Sequence, residues 1–385
     1  MNRAEATAEL EALTADVIEA LTAGPGSQAA CDLTMIARKR ENAAEDAAAS
    51  AADPEATAAA LALGGATVTC AAVRDGGQTH QARQLAQTWL VLAVLHEASA
   101  HGKKLTQREL WYRLKPTGLF AAPRDVNERI LDVCAVLSER CDVACPREAL
   151  GVLTQPRGCV TGDITLVVNG APVPLQQTSY AVPGDPEACR SMQFVDAARA
   201  RCVLVVEKDS VFRRLVDDHF TRRLPSVVVT ASGFPDLATR ALVARLVDAL
   251  NVPAFCLTDW NPYGLALMLT YKLGSVRMGL ERHCCPTLQW LGLHSTDVGG
   301  GGVGAVGGGA GVNDADRMPF SVRDRQVLGG LMRRSEVLQD EALMREARAM
   351  DAAQQKVEIE ALHGGFGMDA LGDFLVAKIV DRAAL

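Results

Sequence analysis

Tyr112 stands in the segment TQRELWYRL, with Arg108 four residues before it and Arg113 directly after it. A phenol becomes a nucleophile when it loses its proton. A free tyrosine, with a pKa of about 10, is ionised to roughly one part in a thousand at pH 7. Cationic neighbours offset part of that deficit, which suits such a tyrosine to attack a phosphodiester and form a covalent intermediate. The plainer role is a core or phosphate-contacting tyrosine, and position alone favours it. The remaining tyrosines are Tyr180, Tyr263 and Tyr271, the last two expected to pack beside a sheet.

A second group of chemically capable residues is acidic. Glu207 follows the apolar run CVLVV, and Asp259, Trp260 and Asn261 follow PAFCLT. Acids at neighbouring strand ends can converge on one cation. Oxygen donors suit Mg²⁺, which takes one or two carboxylates and keeps waters and phosphate oxygens as its other ligands. The alternative is that Glu207 and Asp259 cap helices or are solvated loop acids, and spacing does not choose between the two. Lys272, in TYKLGS, reads equally as a phosphate contact or a solvated lysine. His96 and His101 read as structural or solvated. Arg282-His283-Cys284-Cys285 with Cys141 and Cys145 has no spacing of a common zinc module.

The elements that must position these residues follow from patterning. Residues 83–99 form an apolar helix candidate, and Gly102 stops it. Thr106 is the expected N-cap of a short helix, QRELWYRL, with Glu109 completing a capping box. Val126, Ile130, Val133 and Leu137 recur at helical spacing within 124–139. Two strands, Leu150–Thr154 and Cys159–Val168, follow, joined by PRG. Three helices and a hairpin give the order of a winged helix-turn-helix, a DNA-binding design. From about residue 195, three apolar strands (CVLVV, SVVVT, PAFCLT) alternate with a helix over Asp236–Leu250. That pattern predicts a doubly wound α/β domain, whose chemistry gathers beyond the carboxyl ends of its strands.

Composition limits the function classes. The chain has 385 residues, enough for two or three domains, with 22% charged and 49% hydrophobic residues, as in a soluble globular protein. The longest apolar run, Trp89–Leu95, has seven residues, against about 20 for a membrane span. Neither a membrane protein nor a secretory signal is therefore expected. Eleven dispersed cysteines read as reduced thiols. The net charge of −7 is carried by residues 1–60, with eleven acids and four bases. Residues 101–160 hold ten Lys/Arg against seven Asp/Glu, compatible with DNA. Residues 1–75, Ala-rich over 41–60, are expected to be a partly helical, poorly fixed extension. The nine glycines of 299–311 read as a surface insertion (299–312) and not a phosphate loop, since no GK[ST] follows.

With these residues in hand, the sequence resembles a known family. TQRELWYRLKPTGLF resembles the tyrosine stretch of the topoisomerase VI A protein and of its eukaryotic relatives that make meiotic DNA double-strand breaks. PREALGVLTQPRGCVTGDI, VLVVEKDSVFRRL, VVVTASGFPDLATRALV, LTDWNPYGLALMLTYKLGS and KVEIEALHGGFG resemble further blocks of that family, in its order. The resemblance implies a winged-helix domain (80–185) carrying the nucleophile, followed by a Toprim domain (195–385) with C-terminal helices. It implies that Tyr112 is the nucleophile, that Arg147 lies near the scissile phosphate, and that Glu207, Asp259 and Asn261 are metal positions; Arg108 and Lys272 are the candidate DNA contacts by their position and charge. Many family members carry Asp where this chain has Asn261, which keeps a carbonyl oxygen but loses a charge. Ala121, Ala122 and Pro123 follow Phe120 where the family often has Gln, which removes a DNA contact.

The function implied is double-strand cleavage through a 5′-phosphotyrosyl intermediate, starting meiotic recombination. The expected cofactor is Mg²⁺. The expected partners are duplex DNA, a second copy of the chain whose Toprim metal meets the tyrosine of the first, and a topoisomerase VI B-like protein. The expected location is the nucleus, on chromosomes. The alternatives weighed are the A component of a true topoisomerase VI working with an ATPase, a non-catalytic DNA-binding paralogue, and, more distantly, a Toprim nuclease or primase.

Overall fold

Helices in this chain are made by apolar side chains spaced three and four apart, and strands by short runs of Val, Leu and Phe. The structure, a computed structural model, describes residues 1–22, 32–35, 66–69, 79–168, 170–176, 178–196, 199–274, 283–299, 312, 314–363 and 370–383. It divides into two units, with the chain passing from one to the other between Gln155 and Pro156.

The first unit contains α1 (Arg3–Thr22), an antiparallel pair β1 (Asp32–Met35) and β2 (Ala66–Thr69), then α2 (Thr79–Ala100), β3 (Leu105–Thr106), α3 (Gln107–Leu114), α4 (Pro123–Cys141) and β4 (Val152–Leu153). One apolar cluster joins Leu92 and Leu95 of α2, Leu110 and Leu114 of α3, and Val126, Ile130, Val133 and Leu137 of α4. Residues 3–22 are helical as expected but not loosely attached. Ala6, Leu10, Leu13 and Val17 fall on one face and are buried in that cluster. Arg3 donates to the Lys103 carbonyl, and Arg140 pairs with Asp16. Four apolar residues correctly spaced fix this helix, although the segment is short of large side chains. The Ala-rich stretch 41–60 lies outside the described residues.

The expected hairpin of 150–154 with 159–168 does not form. Val152 and Leu153 pair in parallel with Leu105 and Thr106, and the next strand joins the second unit. An apolar run says that a strand exists but not which edge it pairs with.

The second unit adds β5 (Cys159–Gly162), β6 (Thr165–Val168), β7 (Ala171–Pro174), β8 (Tyr180–Ala181), α5 (Pro186–Arg190), β9 (Gln193–Val195), β10 (Val203–Val206), α6 (Asp209–Asp217), α7 (Phe220–Arg223), β11 (Val227–Thr230), α8 (Leu237–Leu250), β12 (Ala254–Leu257), α9 (Pro262–Leu273), β13 (Gln289–Gly292) and α10 (Ser295–Val298). Among the described residues the main sheet runs β13-β12-β10-β11-β5-β8. Strands β13, β12, β10 and β11 are parallel, while β5 pairs antiparallel with β11 and β8 antiparallel with β5. A mostly parallel sheet alternating with helices agrees with the α/β class read from the sequence. All four residues of β10, of β11 and of β12 are buried, as expected for strands covered on both faces.

The chain continues through β14 (Arg317–Pro319), α11 (Val322–Leu331), α12 (Ser335–Gln339), α13 (Glu341–Ala353), β15 (Gln355–Val357), a 3₁₀ turn over Ile359–His363, and α14 (Ala370–Ala383). The block KVEIEALH is a strand and a 3₁₀ turn, and Val357 bridges to Trp260. Apart from Gly299 and Val312, the Gly-rich insertion lies outside the described residues. No helix among the described residues is long and apolar enough to cross a membrane.

Candidate active site

Helix α3 presents the tyrosine. The Thr106 hydroxyl accepts the Glu109 N–H at 3.1 Å and starts the helix as expected. Leu110 and Leu114, four apart, hold one face in the core. Tyr112 then falls on the open face and is 51% exposed. Arg108, one turn earlier, lies with its Nη2 3.5 Å from the phenol oxygen and its guanidinium carbon 5.7 Å from the ring centroid. Trp111 meets the ring edge-on at 4.8 Å, and Lys115 stands over Trp111. Arg113 is engaged by both carboxylate oxygens of Glu97 at 3.1 Å. The helix thus offers a solvent-reachable hydroxyl with a cation beside it. Arg147 does not share that exposure: it is buried, at 4%. The charge that the structure sets against the phenol is that of Arg108.

In the second unit, the carboxyl ends of β10 and β12 lie side by side, Val206 being in register with Leu257. Glu207 and Asp259 therefore meet, and the Asp259 N–H donates to Glu207 Oε2 at 3.0 Å. Oδ1 of Asp259 accepts the Ile359 N–H at 2.9 Å and lies 3.2 Å from Lys208 Nζ. Burial and the Asp259 charge push Glu207 up to about 7. Burial also raises Asp259, against the pull of Lys208. Burial disfavours the Lys208 ammonium, but Glu360, Asp259 and Glu358 outweigh it and hold its pKa above the usual value.

Asn261 serves differently from the expected ligand role. Its Oδ1 caps α9 by accepting the Gly264 N–H at 2.7 Å, so its Nδ2, 3.4 Å from Asp259 Oδ2, faces the acid. The backbone donor fixes which end of the amide is oxygen. The capping alternative weighed for Glu207 and Asp259 holds for neither, since neither caps a helix; the cap is Asn261, which was expected as a ligand. Gly264 is required here, since a Cβ would come 2.3 Å from the Asp259 carbonyl oxygen. Lys272 lies in the last turn of α9 and is half-buried. Tyr271 is fully buried, and His101 is exposed. No group of three or more His, Cys, Asp or Glu able to hold a metal occurs among the described residues.

Sequence reasoning missed the support behind the acids. Buried Glu346 accepts from Trp260 Nε1 at 3.3 Å and from the Ser295 N–H and hydroxyl at 2.7 and 2.9 Å. Trp260 and Val357 exchange backbone hydrogen bonds. These partners lie some 35 to 100 residues away, and no local spacing announces them. The one available signal was a glutamate at a buried helical position of α13.

Comparison with known proteins gives this geometry its context. Residues 202–379 match the family model for the Toprim domain of topoisomerase 6 A/Spo11 proteins, and residues 83–152 match "Type IIB DNA topoisomerase". Meiotic recombination protein SPO11-2 of Oryza sativa subsp. japonica is 35% identical over 315 residues, covering 79% of this chain and 75% of the relative. The chain belongs to the topoisomerase VI A/Spo11 family. Meiotic recombination protein SPO11 of Mus musculus is 30% identical (71% and 65% covered). The DNA topoisomerase 6 A protein of Arabidopsis thaliana is 26% identical (78% and 66% covered).

Toprim domains bind divalent cations, and the donor set here fits one. Glu207 and Asp259 are two oxygen-donor carboxylates, brought together at buried strand ends and destabilised by burial. A hard cation relieves that repulsion. Asn261, whose oxygen is committed to the cap, adds no ligand in this arrangement.

Proposed function

We propose that this chain is the DNA-cleaving transesterase of meiotic recombination, with Tyr112 as nucleophile. The observation that carries the reading is an exposed phenol beside Arg108 on a short anchored helix, in a family of type IIB topoisomerases. In the proposed step the Tyr112 oxygen bonds to a backbone phosphorus and the bond from phosphorus to the 3′ oxygen breaks. The phenol proton leaves to solvent, and the 3′ oxygen gains one. The products are a 5′-phosphotyrosyl link and a free 3′ hydroxyl. One ester replaces another, so no energy source is needed for cleavage. Arg108 stabilises the phenolate and the phosphate it approaches.

Glu207 and Asp259 would hold Mg²⁺. Bound there, the ion supplies positive charge for the DNA phosphates and the leaving oxygen. We read the helices with the β3–β4 pair as a winged-helix type of module, with Arg108 on DNA, and Lys272 as a second phosphate contact. Arg147, being buried, fits a role in supporting this module better than direct contact with the phosphate. One tyrosine cuts one strand, so a duplex break requires two copies, and we assign a homodimer. The sequence carries no GxxxxGK[ST] loop, so any ATP dependence belongs to a B-like partner. The place of action is the nucleus, on chromosomes.

The test is incubation of the full chain, with Mg²⁺ and its partner, with duplex DNA, followed by denaturing gels and adduct mapping. Covalent protein–DNA adducts are expected at Tyr112. Adducts that persist in Tyr112→Phe overturn the assignment.

A further inference from the structure

Lys208 directly follows Glu207 and stands at the N-cap of α6. Its Nζ lies 3.2 Å from Asp259 Oδ1, 3.0 Å from Glu358 Oε2 and 2.5 Å from Glu360 Oε2. The Asp259 side chain is 5% exposed, whereas those of Glu358 and Glu360 are 49% and 40% exposed. The lysine therefore ties a buried acid to two solvated ones that lie some 150 residues further along the chain. Ser210 holds Glu360 in place through its hydroxyl at 3.0 Å. The Ile359 N–H, between the two glutamates, binds Asp259 itself. The ammonium thus supplies, within the protein, positive charge of the kind that the acid pair would otherwise take from a cation. It also has two further carboxylates to satisfy it if Asp259 is taken away.

We propose that Lys208 is a positioning residue that sets the divalent-cation affinity of the Toprim centre: it neutralises Asp259 in the metal-free protein and passes to Glu358 and Glu360 when a cation binds. This rests on the reading of Glu207 and Asp259 as cation ligands. Because Glu358 and Glu360 keep the lysine paired, its release from Asp259 does not strand a charge. The arrangement keeps the acid pair from being left uncompensated when no cation is present, and it makes cation binding weaker than the bare carboxylates would allow.

The test is calorimetric titration of the full chain with Mg²⁺ and with Mn²⁺, without DNA. Lys208→Met is expected to tighten binding by about tenfold. The double change Glu358→Gln, Glu360→Gln is expected to weaken it several-fold. That weakening should shrink in a Lys208→Met background, because the glutamates act through the lysine. A purely structural role for Lys208 predicts weaker binding in Lys208→Met and no such coupling. A folded Lys208→Met protein with unchanged or weaker affinity overturns the proposal. Equal weakening by the glutamate changes in both backgrounds overturns it too. If Lys208→Met does not fold, the glutamate variant decides, and unchanged Mg²⁺ affinity there is a negative answer. If neither the unaltered chain nor Lys208→Met binds either ion, and Glu207→Gln makes no difference, the cation reading itself fails, an outcome distinct from loss of the lysine's role alone.

Discussion

Tyr112 sits on an eight-residue helix, half exposed, with Arg108 and Trp111 beside it. Asp259, 4% exposed, takes a backbone hydrogen bond from Ile359, gives one to Glu207 and lies against Lys208. The first group reaches outward and costs almost nothing to keep. The second is a pair of like charges that the rest of the Toprim domain has to hold together. A nucleophile must meet a large substrate, so exposure is part of its task. Paired acids must stay close in spite of repulsion and desolvation, so they need fixed donors and a nearby cation. The consequence is that stability and activity should separate cleanly between the two sites.

The sharpest way to break that contrast is substitution at each site. Asp259→Ala strands the Ile359 N–H and removes a partner of Lys208, and is expected to cost about 3 kcal/mol. Tyr112→Phe should cost under about 0.5 kcal/mol while abolishing covalent adducts. Chemical denaturation of both variants checks the difference, and equal stability losses would erase the distinction.

Gly264→Ala drives a methyl group toward the Asp259 carbonyl oxygen and should cost about 2 kcal/mol. The loss should be accompanied by weaker Mg²⁺ binding in calorimetry, since the acid loop must shift.

The pH dependence sharpens the same point. Glu207 is raised to about 7 from a usual 4.5, so the folded chain binds more protons than the unfolded one between those values. Without metal, the Glu207 contribution to stability is present below about pH 4.5 and falls as pH rises to about 7, by about 3 kcal/mol. Denaturation at a series of pH values should show this slope, and Glu207→Gln or saturating Mg²⁺ should flatten it.

A smaller loss than those at the acid pair belongs to the tyrosine's own support. Thr106→Ala removes the N-cap of α3 and should cost about 1 kcal/mol, lowering adduct yield without changing Mg²⁺ affinity.

Much of this was legible in the chain itself. The N-cap at Thr106, the helix 107–114, the buried parallel strands and the acids at their ends each follow from local pattern. The exposure of Tyr112 was not legible, since position alone favoured a core or phosphate-contacting tyrosine; it follows from the burial of Leu110 and Leu114. The failures share a cause. The strand at 152–153 pairs with 105–106 and not with its neighbour in sequence, and Arg147 is buried, because partner choice and burial depend on residues distant along the chain. Asn261 was placed among the metal positions by family resemblance, yet its oxygen is claimed by the helix that Pro262 and Gly264 begin.

Sequence alone determined the helix over 107–114 and the buried strands of the main sheet, because periodicity and capping are local, and it determined the family, because several blocks recur in order. Only the tertiary structure decided that Lys208, Glu358 and Glu360 surround Asp259 and that Glu346 braces Trp260. Those contacts close loops of some 50 to 150 residues, and their geometry is set by the packing of a whole sheet, which no window of sequence contains.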